Sequence, residues 1–191
     1  LYLAKLHTVR DILMSKILSL ELLFDQIKNE LEKGNSLCKL LSVLELYAGD
    51  DWKQFGFSET SYKRNLINSC DLFELFVICW KPLQQSPIHD HPDSGCIAKV
   101  VQGSLEEKCY SLLSNVEKKE NPESLKNPES LENPENSKCK IIFQRTLKTG
   151  DMAYQQGKRG LHQIQNSSLN ENSVSIHIYS PPNYVPKIYN L

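Results

Sequence analysis

The segment His89-Asp90-His91 carries the strongest chemical signal in the sequence. On an extended backbone alternate side chains share a face, so the two imidazoles converge while Asp90 points away. Two convergent imidazoles make a metal-ligand pair. The pattern is weak by itself, because most such pairs are surface or hydrogen-bonded histidines. Its surroundings strengthen the metal reading: Pro87 and Pro92 bracket it, and strands of buried type stand on either side. A second constellation lies in Val174-Ser175-Ile176-His177-Ile178-Tyr179. Strand alternation puts Val174, Ile176 and Ile178 on one face and Ser175, His177 and Tyr179 on the other. The second set can form a hydrogen-bond relay; the equally weighted alternative is a strand with its polar face in water. Tyr62-Lys63-Arg64-Asn65 reads by itself as a solvated basic loop, His162 after Gly160-Leu161 is uninformative in isolation, and His7 is expected in solvent.

The elements that must position these residues change character along the chain. Leu13, Ile17, Leu20, Phe24, Ile27 and Leu31 recur every three to four residues, which predicts a helix capped at Thr8, with Asp11 in its first turn, and ended at Gly34. Ser36 is placed to cap a second helix through Leu40, Val43, Leu44 and Tyr47, stopping near Gly49. From Ser69 onward short strands take over. They are expected over residues 71–80, 96–102, 105–112, 140–146, 152–155 and 173–180, the last closing before Pro181-Pro182. Several short strands with Gly and Pro turns argue for a sandwich or small barrel. Between Ser114 and Lys140 the repeats at Asn121, Asn127 and Asn133 (NPESLK, NPESLE, NPEN) are too polar to offset ordering, and read as a disordered loop inserted in a hairpin.

Composition bounds the functions. The chain of 191 residues allows one sizeable core, and its 40% apolar and 24% charged residues are those of an ordinary soluble protein. A net charge of −1 with no like-charge block gives no reason to expect nucleic acid or an anionic membrane as partner. No apolar run approaches the ~20 residues that span a bilayer. The six cysteines lack C-x-x-C spacing, which argues against a zinc knuckle, and they lie in apolar runs as small buried hydrophobes do. A reduced, cytoplasmic protein is expected.

Residues His89 to Gly103 fit the first cupin motif: H-x-H, four residues, an acidic position held here by Cys96, six residues, then glycine. The second motif is matched more loosely by Gly150, His162 and Asn166, with Gly157 near its proline position and the spacing off by one. With SPIHDHPDSGC, YKRNL, GLH and SVSIHIYSPP, the sequence resembles eukaryotic-type cysteine dioxygenase from its N-terminal helices to Pro182. The resemblance implies a mainly β, cupin-type small barrel (jelly roll) preceded by N-terminal α-helices. That is one domain over 1–191, helical over 1–60 and barrel over 61–191, with the insertion at 114–140. It implies Fe(II) held by His89, His91 and His162, and the substrate carboxylate bound by Arg64 beside Tyr62. It further implies a Cys96–Tyr179 thioether, with Ser175 and His177 positioning the Tyr179 hydroxyl. Trp80 lines this region in the family, where packing is its simplest role. The implied substrates are L-cysteine and dioxygen, the product cysteine sulfinate, and the assembly a monomer. A dioxygenase for another small thiol, such as 3-mercaptopropionate, shares the three histidines, although Cys96 and the position of Arg64 favour cysteine. A metal-free cupin acting as a binding module is the reading from a different class. Beyond Pro182 the family carries a longer tail whose strand packs on the barrel, whereas this sequence stops at Leu191; the insertion enlarges a hairpin loop that is short in the family.

Overall fold

A computed structural model describes residues 16–112 and 139–190; the repeats at Asn121 to Asn136 and the cap expected at Thr8 lie outside them. The helical part holds α1 (Leu20–Glu32) and the short α2 (Leu41–Leu46). The Ser19 hydroxyl caps α1 by accepting from the Leu22 amide. Gly34, at φ +81°, turns the chain out of it, a conformation that costs glycine little. The expectation that helix runs through Ile17 is corrected: residues 16–18 are not helical, and Ile17 bridges Tyr47. Ser36 heads a 3-10 turn (Leu37–Leu40) that leads into α2, without a side-chain cap bond.

Ten strands follow among the described residues. They are β1 (Lys63–Ser69), β2 (Glu74–Trp80), β3 (Ile88–His89), β4 (Cys96–Gln102), β5 (Ser104–Leu112), β6 (Cys139–Lys148), β7 (Met152–Gln155), β8 (Leu161–Gln165), β9 (Ser173–Tyr179) and β10 (Ile188–Tyr189). Two five-stranded antiparallel sheets result, ordered β1-β2-β9-β4-β7 and β10-β3-β8-β5-β6. This is the two-sheet jelly roll, mainly β with helices in front, that the motifs imply.

The alternation of β2 explains where the core sits. Leu75, Val77 and Cys79 pack outward against Leu23, Phe24, Ile27 and Leu44 of the helices, while Phe76, Ile78 and Trp80 join the second cluster inside the barrel. A strand covered on both faces reads as a continuous apolar run. Each such side chain, fully buried, contributes about 1.5–3 kcal/mol. β9 is built the same way. All seven of its residues are buried, with Val174, Ile176 and Ile178 against the helices. Ser175, His177 and Tyr179 therefore face the interior rather than water. Lys99 of β4 ties the layers together: its ammonium donates to the carbonyls of Leu44, Glu45 and Tyr47 at 3.2, 2.8 and 2.7 Å, where α2 ends.

Three strands depart from the sequence reading. Lys63-Arg64-Asn65 is instead the start of β1, a mostly exposed edge strand paired along β2, with Tyr62 just before it. Leu161-His162 opens β8, directly after Gly160. The sheet also continues past Pro181-Pro182, since β10 sets Ile188 opposite His89 and Tyr189 opposite Ile88. No described helix is long and apolar enough to cross a membrane.

Candidate metal centre

His89 ends β3 directly opposite His162 of β8. Directly opposed residues of an antiparallel pair project to the same face. His91 follows His89 by two positions in extended chain and returns to that face. Register and alternation together bring three rings into one cluster. Their centroids lie 5.0 Å (His89–His91), 4.8 Å (His89–His162) and 4.4 Å (His91–His162) apart. One nitrogen of each lies within 4.8 Å of the others, a grouping that can hold a metal ion.

The hydrogen bonds behind the rings decide which nitrogen faces inward. His89 Nδ1 meets the Pro87 carbonyl at 2.9 Å, His91 Nδ1 the Gly160 carbonyl at 2.8 Å, and His162 Nδ1 the Glu107 carboxylate at 2.8 Å. Those oxygens only accept, so each Nδ1 carries the proton and each Nε2 is left with a lone pair. Burial, then the neighbouring His162, pushes His89 down to about 3, and the same causes depress His91 further. These two imidazoles are thus neutral near pH 7. Three nitrogen donors with fixed tautomers fit a borderline transition-metal ion.

A cavity opens on one side of the cluster. Tyr62, Arg64, Trp80 and Tyr179 line it together with His89 and His162. Tyr62 stacks on Trp80 with centroids 4.6 Å apart. The Arg64 guanidinium lies 4.4 Å from the Phe76 ring and 5.0 Å from the Tyr179 ring, and no described carboxylate pairs with it. Its charge is held over ring faces and remains free for an anion.

Cys96 and Tyr179 are directly opposed on β4 and β9. A relay runs beside them. Trp80 Nε1 donates to Ser175 Oγ at 3.0 Å, Ser175 Oγ meets His177 Nε2 at 2.9 Å, and His177 Nδ1 lies 3.4 Å from the Tyr179 hydroxyl and 3.9 Å from Cys96 Sγ. Burial pushes the Cys96 thiol up to about 12 and Tyr179 well above its usual value, and depresses His177 to about 3. Trp80 thus does more than pack.

One residue at this site escaped the sequence reading, as did the partners of a second. Glu107, fully buried, receives His162, Gln155 and Arg145. Its phase was readable, since it alternates with buried Leu105 on β5 and so points inward. Burial raises its carboxyl, but the hydrogen bond and charge of His162, then the hydrogen bonds from Gln155 and Arg145, outweigh it and bring the carboxyl down to about 2. Asp90 turns away from the two histidines, as alternation predicts, and is buried. It accepts from the Tyr184 hydroxyl and the Lys187 amide, both at 2.8 Å, and from the Tyr189 hydroxyl at 3.2 Å. The tail is pinned there, and Pro186 and Ile188 close part of the cavity wall.

Comparison with known proteins agrees with this architecture. Residues 16–190 match the family described as Cysteine dioxygenase type I. Similar curated proteins include Cysteine dioxygenase type 1 of Rattus norvegicus, 33% identical over 177 residues that cover 81% of this chain and 79% of that protein. The protein of the same name from Homo sapiens is 34% identical over 145 residues, 74% of this chain and 63% of that one. Among solved structures, an uncharacterized conserved protein with a double-stranded beta-helix domain from Klebsiella pneumoniae superposes with a TM-score of 0.51 at 16% identity. The match covers 75% of this chain and 92% of that one, and it speaks to the fold alone. A family match that runs from before α1 to the end of β10, with a third of residues identical across four-fifths of the chain, identifies it: this chain belongs to the cysteine dioxygenase type I family of enzymes.

Proposed function

We propose that this chain is an Fe(II)-dependent dioxygenase that adds both atoms of dioxygen to the sulfur of free L-cysteine, giving cysteine sulfinate. One observation carries the reading: three imidazoles with inward lone pairs form one cluster, and two of them, His89 and His162, line a cavity with an unpaired guanidinium. Fe(II) held by His89, His91 and His162 would supply the redox chemistry, and its positive charge would favour thiolate over thiol. Arg64 presents the planar fork that matches a carboxylate, and so holds the amino-acid end of the substrate. Trp80 can only donate, so Ser175 accepts from it and gives its own proton to His177 Nε2. His177 then holds its proton on Nδ1, facing the Tyr179 oxygen. Tyr179 accepts there and keeps its own proton, which its raised pKa prevents it from losing, to donate into the cavity. Residues from both sheets and the tail wall this chamber, which limits water around the reacting sulfur. Six cysteines in apolar runs, without C-x-x-C spacing, support a reducing, cytoplasmic setting.

The test is dioxygen consumption by protein of known iron content, with isotopically labelled dioxygen and mass analysis of the product. Cysteine sulfinate carrying two labelled oxygens is expected. Turnover of 3-mercaptopropionate with none of cysteine would move the substrate to another thiol. Consumption with neither would leave a binding module.

The cross-strand pairing of Cys96 with Tyr179 supports a thioether between the sulfur and the phenol ring, formed oxidatively during turnover. The bond would fix both side chains and preorganise the hydroxyl rather than add a catalytic group. Fresh protein should be a mixture. After incubation with iron, cysteine and dioxygen, peptide mapping should reveal a Cys96–Tyr179 pair lighter by two hydrogens than its parts. Complete alkylation of Cys96 after prolonged turnover would reject the link.

A further inference from the structure

Glu107 lies behind His162, away from the substrate cavity. Its side chain is 0% exposed, yet it gathers hydrogen bonds from three other strands. His162 Nδ1 of β8 and Gln155 Nε2 of β7 reach Oε1 at 2.8 and 2.9 Å. Arg145 of β6 reaches Oε2 through both Nε and Nη2 at 2.6 Å. Arg145 stands directly opposite Glu107 on the strand ladder, and its side chain is 37% exposed, so the arrangement runs from the solvent edge to the metal cluster. Gln155 crosses from the opposite sheet.

The three clustered histidines are therefore not equivalent. His89 and His91 give their Nδ1 protons to peptide carbonyls, which are neutral, whereas His162 gives its proton to a carboxylate. A carboxylate pulling on Nδ1–H fixes the ring and makes Nε2 a stronger donor. The three-imidazole set brings no negative charge of its own, so Glu107 is the nearest source of one that acts through a ligand. Arg145 draws on the same carboxylate from the other side and limits how much of that charge reaches His162.

We propose that Glu107 is a positioning residue that sets the orientation and donor strength of His162, and that Arg145 moderates it. The inference rests on the reading of His162 as a metal ligand. Two variants separate charge tuning from bracing. Glu107→Gln keeps an acceptor oxygen but loses the charge; Arg145→Gln frees the charge. Iron(II) affinity, by competition with a chelator, should fall about 10–100-fold in Glu107→Gln. The midpoint potential of the bound iron, in protein without substrate, should rise in that variant. In Arg145→Gln it should fall, because an unshared carboxylate favours the oxidised ion. A brace alone would weaken both proteins in the same direction and leave the potential where it is. Shifts of the same sign in both variants, or none in Glu107→Gln, overturn the proposal. Should the buried variant not fold, the half-exposed Arg145→Gln decides by itself: a lowered potential supports the role and an unmoved one rejects it. Failure of the wild-type protein to take up iron would instead bring down the reading of the triad, and this role with it.

Discussion

His162→Ala should lose its bound iron, while His177→Ala should keep it. Both are buried histidines on interior strands, and their spacing in the sequence does not rank them. Their hydrogen bonds do. His162 has one nitrogen on Glu107 and the other turned toward His89 and His91. His177 has both nitrogens engaged, one with Ser175 and the other beside Tyr179 and Cys96. Removing a ligand should lower affinity well beyond the ~10–100-fold typical of a residue that only supports one. His177→Ala should stay within that range and lose turnover instead. Metal content after dialysis against a weak chelator measures the difference; equal loading of His162→Ala and wild type, with loss in His177→Ala, would reverse the assignment. Burial also sets the acid limit. Free imidazoles, with pKa about 6.5, would begin to shed metal just below neutrality. His89, held down to about 3, should stay neutral and metal-competent well below that.

Arg64→Ala should weaken cysteine and spare cysteamine, which has the thiol and amine but no carboxylate. A fully desolvated ion pair loses roughly 3–5 kcal/mol when one partner is removed. Arg64 remains in contact with solvent on the β1 edge, so that range is an upper bound. Hydrogen bonds to a charged group are worth about 1.5–3 kcal/mol, or roughly 10- to 150-fold in binding. Calorimetric titration of the metal-loaded variant with each thiol gives the comparison. Equal losses for the two would show that Arg64 shapes the cavity without reading the carboxylate.

The parts of this structure that were legible in the sequence are those fixed by short-range pattern. β4 and β7 fall on the residues expected, 96–102 and 152–155, because glycine turns bound them. β2 was visible as a strand because burial on two faces leaves an unbroken apolar run, and β9 because Val174, Ile176 and Ile178 alternate with polar residues. β1 was not, since KRNLINS at a sheet edge has no such signature and is held by its pairing with β2. His89 and His91 declare themselves by alternation. His162 does not, because its place depends on register across β3 and β8, and only the family resemblance pointed to it. Glu107 could have been read as inward-facing from its phase with Leu105. Its partners could not, since Arg145 and Gln155 arrive from 38 and 48 positions away through strand pairing.

The rung that sets Cys96 opposite Tyr179 also bears on how the molecule comes apart. A thioether there closes a covalent loop of roughly 80 residues, and chain entropy alone gives about 4.5 kcal/mol at 25 °C for a loop of that size. The whole of 113–138 lies inside the loop, so both of its flanks would stay tethered even in the denatured chain. Such a bond raises the free energy of the unfolded ensemble and leaves native contacts almost untouched. Molecules that had turned over longest would then melt last, and the spread of unfolding midpoints in a preparation would record its catalytic history.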